Sequence, residues 1–103
     1  MRRAETQGAV IAFRKGGARN VEVVRRSDRE WYFTFDVDDP ETGETTTHVL
    51  WTQRGAPRLW ADPRNMFRFL RRRFRVAKGT FQLSEKGGSG DGRRKGKDRQ
   101  DRR

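Results

Sequence analysis

The chain reads as an α+β fold: an antiparallel sheet of four to five strands with one C-terminal helix packed on a face, in the order β-β-β-β-α with a candidate final β. Three observations predict it. Residues 31–38 alternate strictly between apolar and polar, residues 64–75 sort onto two sides of a helix, and everything from Lys86 onward lacks apolar side chains. The domain is accordingly placed at 1–85. The Gly-, Arg- and Lys-rich remainder, 86–103, buries too little surface to offset its ordering entropy and is expected to be a disordered tail.

Along the chain, Ala9-Val-Ile-Ala-Phe13 is a short apolar run closed by Arg14-Lys15-Gly16-Gly17, and Val21-Glu-Val-Val24 is a short β-branched run; both read as strands. In the clearest strand Trp31, Phe33, Phe35 and Val37 share one face, while Tyr32, Thr34, Asp36 and Asp38 share the other. Turn chemistry follows in Asp39-Pro40-Glu41-Thr42-Gly43. The β-branched and aromatic run from Thr45 to Trp51 then predicts the second arm of an antiparallel hairpin.

A helix is expected to start at Asp62-Pro63, because Asp caps a helix well and Pro suits its first position. At about 100° per residue, Met66, Phe67, Phe69, Leu70 and Phe74 gather on one side, and Arg64, Arg68, Arg71, Arg72 and Arg75 gather on the other. Only Arg73 intrudes on the apolar side, near the end, where its head can reach water. The run Thr80 to Ser84 is the candidate last strand. Strands followed by a helix resemble, in outline, the single-stranded nucleic-acid-binding folds of the Whirly kind; that resemblance implies a curved sheet preceding a helix and carries no residue assignments.

Composition narrows the function classes. The chain has 103 residues, no cysteine, one histidine (His48) and a formal net charge of +11. Disulfides and thiolate zinc sites are excluded, and neither a metal nor a cofactor is expected. No run approaches the roughly 18 apolar residues of a membrane span, so a cytoplasmic, non-membrane protein is expected, associated with nucleoid or ribosome if its partner is nucleic acid. Of the 25 basic residues 20 are Arg, which suits phosphate but also follows from a GC-rich genome, so the ratio decides nothing.

Charge position says more than charge total. Residues 54–75 hold eight arginines against a single acid, Asp62. Residues 28–47 hold Asp28, Glu30, Asp36, Asp38, Asp39, Glu41 and Glu44 against Arg29 alone. The expected function is therefore nucleic-acid binding through largely sequence-independent phosphate contacts, without catalysis. The candidate residues are Arg54, Arg58, Arg64, Arg68, Arg71, Arg72 and Arg75, with Trp60 as a stacking platform and Arg93, Arg94 and Lys95 in the tail. Single-stranded DNA or RNA is favoured over duplex, because a sheet with aromatic residues suits stacking and no helix-turn-helix is readable.

Two alternatives stay open. In one the chain is an adaptor whose acidic hairpin, 36–44, or sheet edge docks a protein partner, the cations serving solubility; a second copy of the chain is also a candidate partner. In the other, which has less support, it is a small metal-independent ribonuclease using Arg, Lys and Tyr. A divalent-cation site in the acidic hairpin lacks EF-hand spacing. No Ser-His-Asp order or glycine elbow accompanies the solitary His48.

Overall fold

The alternation in Trp31–Asp38 puts two phenylalanines at the centre of the molecule: Phe33 and Phe35 are each only 1% exposed. The computed structural model describes residues 1–85. They form β1 (Arg2–Ala4), α1 (Thr6–Arg14), β2 (Ala18–Ser27), β3 (Glu30–Asp38), β4 (Thr45–Leu50), α2 (Pro63–Arg73) and β5 (Thr80–Gln82). The tail at 86–103, including Arg93, Arg94 and Lys95, lies outside the described residues.

The architecture is α+β, but the sheet is mixed rather than antiparallel and there are two helices among the described residues, not one. Strand order is β1-β4-β3-β2-β5. The meander β2-β3-β4 is antiparallel as expected, with Val23 opposite Phe33 and Phe35 opposite His48. Both edge strands are parallel to their neighbours, β1 to β4 and β5 to β2. Those pairings make β1, β2, β4 and β5 co-directional. The segments β1-α1-β2 and β4-α2-β5 are thus two crossovers that each step three places across the sheet in the same direction. A shared hand puts both helices on one face.

The expected strand at Ala9–Phe13 is instead the body of α1. Its apolar run is too short for period alone to separate strand from helix, and tertiary packing decides. Ala9 is buried, Val10 and Phe13 pack against the core, and Ile11 points to solvent. Glu5 provides no side-chain cap, which is why the start was invisible. The Arg14–Gly17 segment closes a helix rather than a strand: Gly16 has φ 79°, and the N–H groups of Lys15 and Gly17 return to the carbonyls of Ile11 and Ala12. With α1 interposed between β1 and β2, the strands-then-helix outline does not hold.

The second helix follows the sequence in its start and most of its buried stripe, but Phe67, expected on the packed side, is exposed, and the helix stops at Arg73, short of Arg75. The Asp62 carboxylate accepts the Arg64 N–H at 2.9 Å, Pro63 occupies the first turn, and Arg71, Arg72 and Arg73 fill the last turn, where cations complement the helix dipole. Met66, Leu70 and Phe74 are buried on Val21, Val23, Phe33, Phe35 and Leu50. Phe74 knits both helices to the sheet, stacking on Phe13 at 4.7 Å and meeting Phe33 edge-on at 5.8 Å. Arg75 takes φ 59°, and the Val76 N–H donates to the Leu70 carbonyl, ending the helix. No helix among the described residues is long and apolar enough to cross a membrane.

Candidate nucleic-acid interface

Burial of Met66, Leu70 and Phe74 dictates the outward face of α2. Arg64, Arg68, Arg71 and Arg72 are all exposed on it; Arg75, expected in the same stripe, is exposed but lies past the helix end, where its left-handed φ takes it off the helical face. They are not equivalent. Arg64 folds back onto its own cap, donating to the Asp62 carboxylate at 2.9 Å, which holds that carboxyl below its ordinary range and raises the guanidinium. Arg68 donates only to the Asn65 amide oxygen, at 3.1 Å. Among the described residues, Arg68, Arg71, Arg72 and Arg75 have no carboxylate partner.

The segment after β4 brings the remaining predicted residues to one side of this helix. Thr52 N–H donates to the Ala56 carbonyl and Gly55, at φ 84°, to the Thr52 carbonyl, a tight turn that carries Arg54 exposed. The returning arm is bonded on two sides. Arg58 N–H donates to Leu50, while Trp60 and Trp31 exchange backbone bonds of 2.8 and 2.9 Å. Trp60 is therefore anchored beside the core, 5.7 Å from Phe33 and 5.2 Å from Phe69. The Arg58 guanidinium lies 4.8 Å over the Trp60 ring and 4.7 Å over Phe69, occupying one face of each. Arg73, the intruder on the apolar side, caps Phe69 at 5.9 Å. Around the helix Phe69 is next to Arg72, so Arg58 adjoins the arginine stripe.

Acidic chemistry is concentrated at the other end of β4. Asp38 pairs with Arg19 and accepts the Thr45 hydroxyl, contacts that hold its carboxyl below the ordinary range. Asp36 accepts from Asn20 and Thr47, and Asp39 accepts the Glu41 and Thr42 N–H groups of its own turn. These three carboxylates are engaged in building the hairpin, leaving Glu41 and Glu44 exposed without an ion-pair partner among the described residues. Six residues of extended β4 separate this turn from the Arg54 turn, about 20 Å. His48 lies between them, stacked on Phe35 at 5.8 Å with its Nε2 2.8 Å from the Thr46 hydroxyl. Burial, with Arg2 nearby, lowers its pKa.

No protein-family model, curated protein or solved structure matches this chain. Function is therefore argued from its side chains. Two residues that sequence reasoning missed join the basic side: the Arg3 guanidinium lies 4.0 Å over the Trp51 ring. Arg3 in β1 and Trp51 just past β4 are distant in sequence. Only the parallel register of Arg3 with Val49 makes them neighbours, and nothing in the tripeptide Arg2-Arg3-Ala4 marks it as a strand.

Proposed function

We propose that this protein binds nucleic acid, through phosphate contacts made by the outer face of α2 and by the Arg54–Arg58 arm, with single strands preferred to duplex. The observation that carries the reading is the unpartnered set Arg68, Arg71 and Arg72 on one helix face, with Arg75 just beyond the helix end. Like charges at i,i+4 spacing disfavour the helix they sit on, and a polyanion relieves that repulsion. Segregation of the acidic hairpin to the opposite end of β4 supports an oriented approach, with the Arg54 end toward phosphate. The role is one of binding and needs no catalytic group.

The test is a filter-binding panel of single- and double-stranded DNA and RNA at low and moderate salt. Retention that falls steeply with salt, with single strands held more tightly, is the expected result. Retention that hardly changes with salt defeats the phosphate-contact reading. Duplex held more tightly than single strands defeats the preference.

A further inference from the structure

Resting on the nucleic-acid reading, we propose that the cleft between β1, the start of α1 and the 51–58 arm receives a single nucleotide. Its phosphate lies on Arg3 and Arg58, and its base lies against the stacked Arg3 and Trp51. The cleft has a volume of about 670 Å³, and Arg3, Glu5, Gln7, Trp51, Gln53 and Arg58 are among its lining residues. That volume falls within the range of about 300–1,000 Å³ usual for small-molecule sites.

Two features distinguish it from the helix stripe. First, both guanidinium groups are positioned in advance by aromatic rings, Arg3 on Trp51 at 4.0 Å and Arg58 on Trp60 at 4.8 Å. Neither has a carboxylate partner among the described residues. A guanidinium stacked through its face keeps the N–H groups on its edge free, which is the geometry for bidentate phosphate binding at reduced entropic cost. Arginines of the stripe have no such support. Second, the remaining polar lining suits a base better than a bare anion. Glu5 repels free phosphate but accepts from an exocyclic amino group, and the Gln7 and Gln53 amides donate and accept. One charged nucleotide with an amino-bearing base satisfies the whole set. The same chemistry is offered by a residue of a strand arriving from the stripe and by a free mononucleotide.

The experiment follows the Trp51 indole N–H resonance by NMR, assigned through its loss in Trp51→Phe, during titration with adenosine monophosphate, adenosine and inorganic phosphate. Adenosine monophosphate is expected to shift it at concentrations at least tenfold below either fragment. Arg3→Lys and Arg58→Lys keep the charge but lose the planar stack, and should each weaken that binding about five- to tenfold. Arg29→Lys, in the turn between β2 and β3 and outside the cleft lining, should leave it unchanged. An unmoved Trp51 signal, equal potency of inorganic phosphate, or Lys variants at 3 and 58 that match the parent each overturn the proposal. A single-stranded oligonucleotide separates the two readings. If it is retained without moving Trp51, and the mononucleotide does not move it either, the cleft assignment fails while the helix reading stands. If it is not retained and the mononucleotide still shifts Trp51, the helix reading fails and the cleft stands.

Discussion

Asp62→Asn offers a gain of binding rather than a loss. Asp62 does two jobs: its carboxylate caps α2 through the Arg64 N–H, and it neutralises the Arg64 side chain. Asparagine caps a helix about as well as aspartate but cannot form the ion pair. The variant therefore keeps the helix start and releases one guanidinium to the stripe, with the acid removed from its border. Each phosphate contact to a single strand contributes about 0.7 to the slope of log affinity against log salt, so one added contact steepens the slope by about 0.7 and is worth about fivefold in affinity near 0.1 M salt. Fluorescence anisotropy of a labelled single-stranded oligonucleotide across a salt series measures both, with circular dichroism to verify that the helix is intact. A slope equal to or flatter than the parent's, in a folded variant, refutes the view that Arg64 is withheld by its own cap.

Removing charge works in the opposite direction. Arg68→Gln, Arg71→Gln and Arg72→Gln combined should flatten the slope by about 2, equal to about a twentyfold smaller loss of affinity between 50 and 200 mM salt. Melting temperature should hold or rise, because Gln is a good helix former and the repulsion is gone. Phe74→Ala opens a cavity where α1, α2 and β3 meet; Phe74 is 3% exposed, so the cost should be about 3–5 kcal/mol by chemical denaturation. Tyr32, the only tyrosine, donates its hydroxyl to Glu85 at 2.7 Å, and burial together with that bond pushes its pKa up to about 12. Because the folded state favours the neutral phenol, this contribution is complete below pH 10, the ordinary value, and is lost as pH rises through about 12. Ultraviolet titration reads it directly, and Tyr32→Phe should melt with a shallower alkaline decline than the parent.

Elements with a pattern longer than their ambiguity could be read from the sequence. β3 alternates over eight residues, 31–38, and α2 carries its apolar stripe from an Asp-Pro start, so face and start were recoverable, whereas its end was not: the arginine run continues to Arg75 in sequence, but the helix stops at Arg73. The elements misread or missed are those whose reason for existing lies elsewhere in the chain. α1 has a five-residue apolar run and no side-chain cap, and is helical because Ala9 and Phe13, four apart, both face the core, where Phe13 meets Phe35 and Phe74. β1 is a strand because β4 presents an unpaired outer edge. The same holds for the site. A helix face is a local property, so the arginine stripe was visible, whereas the Arg3 and Trp51 stack depends on a pairing that no local pattern encodes. Trp60 looked like a free platform among cations, but its backbone exchange with Trp31 draws it toward the core.

The two outermost strands are each three residues long, and each lies against a partner far away in sequence, β1 on β4 and β5 on β2. Chain-closure entropy makes such pairings late to form and early to open, whereas the β2-β3-β4 meander forms through short connections. Amide exchange should therefore be fastest along β1 and β5, in openings that leave the meander closed. The brevity of these strands also makes both borders poor templates for strand addition by another chain. A brief release of β5 therefore frees Thr80–Gln82 from β2 at little energetic cost while the meander stays closed.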